Sequence, residues 1–305
     1  MRTEPPPEWP LPLLARASKS PPVRTAVVNA GTPLAMDSAR LAKDEGLIEP
    51  VFVGQAEKIE QLAQEMSWSL EDLRIVPASS EIEAASFAVS LARHGEVDAL
   101  MKGHVHTDDL MRAVLNRDNG LRTGTRLSHV FHMTMPDSER VLCITDAVIN
   151  VLPSIREKLD IARNVVGLMH ALGISNPAIA LLSGTEVATP QMPSSIDAEE
   201  ISRLATTGEI EGARISGPLS FDMAVSKEAA RIKGATCDVA GQADVLLVPN
   251  VEAGNFMFKQ MVYFMGSTAA GIVLGASVPI MLTSRADPAV ARVASAALAS
   301  IYVAR

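Results

Sequence analysis

Cysteine is almost missing from this chain. Cys143 and Cys237 are the two present in 305 residues, far apart and without paired spacing. A disulfide framework and a cysteine-bound zinc are therefore excluded as organising devices, and a reducing cytoplasm is the expected setting. Aromatic residues make up only 4%, which suits alternating strands and helices better than an all-β sandwich. No run of about 18 apolar residues free of charge occurs, so no membrane span is expected. Positive charge is in deficit: 27 Lys and Arg stand against 35 Asp and Glu, a net charge of −8. That argues against broad binding to nucleic acid or anionic lipid, while leaving room for a local basic cleft. The opening MRTEPPPEWPLPLLARASKSPP has proline breaking every apolar run, so it lacks the order of a signal peptide; residues 1–22 are expected to form a flexible tail, mostly disordered or loosely docked.

Several motifs are missing as well. There is no GxGxxG dinucleotide fingerprint, no Walker pattern, no HExxH helix and no GxSxG elbow. A nicotinamide loop, a zincin site and a covalent acyl-serine are disfavoured on those grounds.

What the chain does have is a regular alternation. RTAVVNAG (24–31), EPVFVG (49–54), RIVPAS (74–79) and DALMKG (98–103) read as buried strands. Each is followed by a segment with helical apolar period, over 32–46, 56–66, 81–95 and from 107 onward. Apolar rather than alternating strands point to a parallel sheet covered on both faces. SHVFHMTM (128–135) and ERVLCITDA (139–147), split by a short turn, read as a hairpin that marks a switch of domain. The rhythm then resumes with helices over 155–172, 197–207, 222–233 and 252–265 and strands at 178–184, 213–219 and 243–250. Strands at 271–276 and 279–284 and an Ala-rich helix over 286–305 close the chain.

Polar residues gather at the strand ends: Lys102, Asp146 with Asn150, Ser183, Asn250, and Ser284 with Arg285. In open α/β sheets ligands sit outside the carboxyl ends of the strands. In DALMKGHVHTDDLMRAVL, Gly103 follows a strand and permits a tight turn, and Thr107 is the expected helix N-cap, with Asp108 and Asp109 in the first turn. Backbone N–H groups at such a turn, beside Lys102, suit a phosphate. A purely structural turn, and a metal held by His104 and His106, remain open for the same residues; the metal needs a further ligand from elsewhere. The loop at 116–130 adds Arg117, Arg122 and Arg126, a residue type whose planar fork matches phosphate. Asn255 and Lys259 lie one helical turn apart and can face one ligand. In PIMLTSRADPAV, Pro288 is expected at the first helical position and Asp287 at the N-cap.

Four motifs, MKGHVHT with its following LMRAVLN and LSHVF, GPLSFDMAVSKEAA, ADVLLVPNVEAGNFMFKQMVYF and VPIMLTSRADP, together resemble the phosphate acetyl/butyryltransferases over residues 24–305. GPLSFDMAVSKEAA is closest to phosphate butyryltransferases and to the acyltransferase part of enoyl-CoA hydratase fusions. The resemblance implies a two-domain, three-layer α/β/α fold like that of isocitrate and isopropylmalate dehydrogenases, with the cleft between domains as active site. Domain I would comprise 23–139 plus 273–305 and domain II 140–272. It implies reversible transfer of a short acyl group between CoA and inorganic phosphate, by direct attack in a ternary complex, in a cytoplasmic homodimer. CoA is then a substrate; no cofactor, metal, nucleic acid or membrane partner is expected. Arg285 would hold the phosphate and the developing carbonyl charge, and Ser284 would hydrogen-bond the CoA sulfur. Asp287 is the candidate base; here the sequence departs from the acetyltransferases, whose catalytic aspartate lies further into the following helix, a segment that reads PAVARV in this chain and has no acid. Lys102, Gly103, Thr107, Arg126, Ser128, Asn255 and Lys259 complete the expected substrate contacts. Met257, Phe258, Met261 and Phe264 stand at helical spacing, which is more often core than pocket; if part of that face lines an acyl slot instead, propionyl or butyryl would be favoured over acetyl. Two competing readings are an NAD-dependent dehydrogenase of the same fold, which needs a metal cluster not found in the sequence, and a non-catalytic CoA or acyl phosphate sensor, against which the intact Ser284-Arg285 pair counts.

Overall fold

The computed structural model describes residues 9–136, 138, 140, 142–283 and 287–305. In chain order its elements are α1 (Leu11–Ala17), β1 (Val23–Val28), α2 (Pro33–Asp44), β2 (Ile48–Gly54), α3 (Ala56–Glu65), β3 (Ile75–Pro77), α4 (Glu81–Arg93), β4 (Ala99–Lys102), α5 (Thr107–Val114), β5 (Ser128–Thr134), β6 (Leu142–Thr145), α6 (Ile155–Ala171), β7 (Ala178–Leu182), α7 (Pro193–Thr206), β8 (Arg214–Leu219), α8 (Phe221–Val225), α9 (Lys227–Ile232), β9 (Val245–Leu247), α10 (Val251–Met265), β10 (Thr268–Leu274), β11 (Ile280–Met281) and α11 (Ala289–Val303). Among the described residues, no helix is long and apolar enough to cross a membrane.

Two compact units form: Trp9–Thr125 with Ala270–Arg305, and Arg126–Ala269. The sequence reading put the crossings at 139/140 and 272/273. A cut at 139/140 would divide a hairpin: β5 and β6 pair antiparallel, with Phe131 opposite Ile144 and Met133 opposite Leu142.

In the first unit the strands run in the order β3-β2-β1-β4-β11-β10. β1 is parallel to β2 and β4, and β11 is parallel to β4, while β10 runs antiparallel to β11. All four residues of β4 are buried, as expected of a strand covered on both faces. α11 is buried from Val290 to Ile301. A helix that is apolar all round belongs inside a structure, and its alanines let neighbouring elements approach closely. α1 packs against it with Leu13 and Ala17 buried. Residues 11–17, expected as part of the flexible tail, are thus a docked helix: proline at its start fits the first helical turn, and its two apolar residues find a partner that only the far end of the chain supplies.

In the second unit the order is β5-β6-β9-β7-β8. β6, β7, β8 and β9 are joined by parallel pairings. α6 opens with a capping box, in which Ser154 and Glu157 each satisfy the other's backbone N–H. The helix expected over 222–233 is two, α8 and α9, because Ser226 is extended and caps α9 by accepting from the Ala229 N–H. Phe131, Met133, Ile144, Leu246 and Met261 belong to one core cluster, with Met257 and Phe258 packed on it. Phe258 stacks on Phe131, ring centroids 4.0 Å apart.

Candidate active site

The first unit places a small open hollow beyond the carboxyl end of β4, lined by Thr32, Lys102, Gly103, His104, Thr283 and Arg292 among others. Strand register builds it. Lys102 pairs with Val28 across β4 and β1, and Met281 with Met101 across β11 and β4, so three strand ends deliver their loops to one place. The β4 chain end is held by Gly103 N donating to Val28 O at 3.0 Å and His104 N to Asn29 O at 3.1 Å. Gly103 is required there by proximity: a Cβ would lie 2.4 Å from Val28 O and 3.0 Å from Asn29 O. Thr32 caps α2, accepting from Ala35 N, so the positive end of that helix faces the hollow as well.

Two cationic side chains are buried on this lining, Lys102 at 7% and Arg292 at 6% exposure. Arg292 donates from Nη1 to Thr283 Oγ1 at 3.1 Å. Burial pulls its guanidinium below its ordinary pKa, opposed by the nearby charge of Asp287. Two such cations on one lining favour an anion with several acceptor oxygens. Arg292 and Thr283 were not anticipated from the sequence. The signal was present: Arg292 is the lone charge inside the otherwise small and apolar run of α11, and charged residues are almost never fully buried without a partner.

Ser284 and Arg285 lie outside the described residues. Thr283, which precedes them, lines the hollow. Asp287 is half-buried and within electrostatic reach of Arg292. It does not cap α11: Pro288 holds the N-cap position in extended conformation, with no side-chain cap bond, and Ala289 is the first helical residue. The fixed φ of proline fits the extended cap as well as the first turn, which moved the boundary by one residue. A similar shift occurs at α5. Its N-cap is His106 and Thr107 is its first residue. His106 is held there by Glu81, whose carboxylate accepts from His106 N at 3.1 Å and faces its Nδ1 at 2.9 Å. The Glu81 carboxyl sits below the usual carboxylate range, chiefly through this hydrogen bond from His106.

The remaining expected residues belong to the second unit, where a polar network ties the start of β5 to α6. Arg126 donates from Nε to Asn150 Oδ1 at 2.8 Å and lies 3.1 Å from Glu157 Oε1. Asp146 accepts from the backbone N–H of Val148 and Ile149 and from Asn150 Nδ2. Ser128 is fully buried and accepts from Asn164 Nδ2 at 2.8 Å, so its hydroxyl joins β5 to α6 instead of facing solvent. Asn255 reaches Ala147 O at 3.4 Å, and Gly254 beside it permits that approach, since a Cβ would meet Ala147 Cα at 2.9 Å. Lys259, one turn on, is exposed. Of the two readings of the apolar residues on α10, core packing holds for three of the four. Met261 is core, Met257 and Phe258 pack on the core, and Phe264 is 85% exposed. Helical spacing of apolar residues here reflects packing.

Comparison with known proteins gives a consistent answer. A family model described as "Phosphate acetyl/butaryl transferase" matches residues 78–300. The chain is 44% identical over 289 residues to a phosphate acetyltransferase of Rickettsia felis, covering 94% of this chain and 83% of that protein. It is 40% identical over 278 residues to a phosphate butyryltransferase of Clostridium acetobutylicum, covering 91% and 92% of the two chains. The crystal structure of a branched-chain phosphotransacylase from Enterococcus faecalis V583 matches with a TM-score of 0.79 at 29% identity, over 92% of this chain and 99% of that one.

Proposed function

The chain belongs to the phosphate acetyl/butyryltransferase family, and from that premise we propose that it moves a short acyl group between CoA and inorganic phosphate through the anion hollow at the end of β4. The observation that carries the reading is the pair of buried cations, Lys102 and Arg292, on one lining with the capped start of α2. Phosphate brings the acceptor oxygens such a lining wants.

In the proposed step a phosphate oxygen attacks the thioester carbonyl carbon within a ternary complex. A C–O bond forms, the carbonyl oxygen takes up negative charge, and collapse breaks the C–S bond to release CoA thiolate and acyl phosphate. Donors fixed before the reaction lower the barrier by meeting charge where it develops. Arg285 serves the phosphate and the carbonyl oxygen in this reading, and Ser284 the leaving sulfur, as the family resemblance implies. Thiols have an ordinary pKa of about 8.5, so the reverse direction needs a base; Asp287, half-buried within reach of Arg292, is assigned that role. Lys102 and Gly103 bind phosphate, Thr107 supplies the turn above it, and Arg126, Asn255 and Lys259 are assigned to CoA. A homodimer, a cytoplasmic location and a fold of the isocitrate and isopropylmalate dehydrogenase type complete the proposal. No cofactor takes part.

The test is release of free thiol from acetyl-, propionyl- and butyryl-CoA, followed with and without phosphate. Release that requires phosphate and yields an equal amount of acyl phosphate is expected. Thiol release that ignores phosphate would make the protein a hydrolase, and none at all with any of the three would leave a binding protein.

A further inference from the structure

We propose that Glu81, His106 and Asp109 form a binding site for one zinc ion, beside the anion hollow and separate from it. The three side chains offer a carboxylate oxygen, an imidazole nitrogen and a second carboxylate oxygen, all within 4.8 Å of one another. They come from two elements. Glu81 opens α4, where Ser80 fixes the helix start by accepting from Glu83 N at 3.2 Å, and His106 and Asp109 belong to the first turn of α5. α4 and α5 pack on one another, so the ligands are carried on a rigid base.

The spacing suits the ion. Zinc bound tetrahedrally at about 2.0–2.1 Å from each N or O ligand holds those atoms about 3.3 Å apart. His106 Nδ1 and Glu81 Oε2 are 2.9 Å apart, so a few tenths of an ångström of opening admits the ion in place of the shared proton. That proton moves to Nε2 as the ring changes tautomer, and the exposed ring of His106, 66% accessible, can offer it to water. Asp109 accepts from Arg112 Nη1 at Oδ1, 2.5 Å away, so the ion competes with that cation for the carboxylate. Three protein ligands leave a fourth position for water. One imidazole with two carboxylates suits zinc better than magnesium, which prefers oxygen alone and gives up water reluctantly. Occupancy ties the turn that carries Gly103 and His104 to the start of α4.

The full chain, freed of metal with chelator and dialysed, is titrated with Zn²⁺ by calorimetry and with Co²⁺ by visible absorption, with Mg²⁺ for comparison. One saturable zinc per chain is expected, with a Co²⁺ d–d band of a low-coordinate nitrogen–oxygen site and no response to Mg²⁺. His106→Gln and Asp109→Asn each weaken zinc by tenfold or more, the scale on which even outer-sphere partners matter, with an unchanged circular dichroism spectrum. Arg112→Ala tightens it, because the competing cation leaves Asp109. Absence of saturable binding overturns the proposal. So does zinc that binds His106→Gln and Asp109→Asn as tightly as the parent, since other histidines then hold it, and so does weaker binding by a folded Arg112→Ala protein.

Discussion

At the scale of single residues, Arg292 is the side chain whose role depends most on where it is. Its neighbours in α11 are small and apolar, its head group lies on Thr283, and Lys102 shares its hollow. Arg292→Met keeps the stem and removes the charge. A buried charge replaced by an apolar group of similar volume often leaves stability unchanged or higher, so this protein should fold. A charge-assisted hydrogen bond is worth about 1.5–3 kcal/mol, so KM for phosphate should rise roughly 10- to 100-fold while KM for acyl-CoA changes little. Steady-state kinetics at varied phosphate decide it; an unchanged phosphate KM removes Arg292 from the site. His132 offers a second test, unrelated to catalysis. It is 6% exposed on β5, and burial pushes its imidazole down to about 4 from 6.5. The unfolded chain therefore binds a proton between pH 6.5 and 4 that the folded chain refuses. Stability contributed by the neutral ring is full above 6.5 and is lost as pH falls toward 4, by roughly 3 kcal/mol at most. His132→Gln should flatten this part of the pH dependence of urea unfolding relative to the parent. Parallel curves for the two proteins would show that the ring titrates alike folded and unfolded.

At the scale of elements, most helices and strands follow from period and punctuation. α4 and α6 begin at serines with a glutamate three residues on, and α10 ends at Gly266, whose φ of 65° is the left-handed value glycine takes without strain. Departures from the reading cluster where proline or serine can serve two positions, as at Pro288 and Ser226, because local propensity leaves one-residue choices to tertiary packing. α1 is the larger departure. Seven residues are too few to hold a helix alone in water, so its existence depends on α11. Leu13 is the residue that joins them, at 5% exposure. Leu13→Ala should lower the stability of the first unit by about 2–3 kcal/mol, the lower part of the usual range for a buried leucine, seen as an earlier first transition in urea. No shift in that transition would mean that α1 rests on the surface without contributing.

At the scale of the whole molecule, the chain by itself determined the α/β class, the alternation of elements, the strand ends that carry polar groups and, through separated motifs in the right order, the family. These follow from patterns that are local or linear, and such patterns survive in a string of residues. Tertiary structure decided which distant segments meet. Lys102 and Arg292 are 190 positions apart in the numbering, yet they line one hollow because β11 lies beside β4 and α11 follows it. The same cause reassigned Ser128 from substrate to the buried junction of β5 with α6, settled Met261 in the core with Met257 and Phe258 packed on it, and made a helix of residues 11–17. It also set the third zinc ligand, since Glu81 reaches His106 and Asp109 only through the packing of α4 on α5. A side chain's chemistry is written in its residue type, but its partners are set by burial of apolar surface between elements far apart in the chain, and that burial is a property of the folded whole.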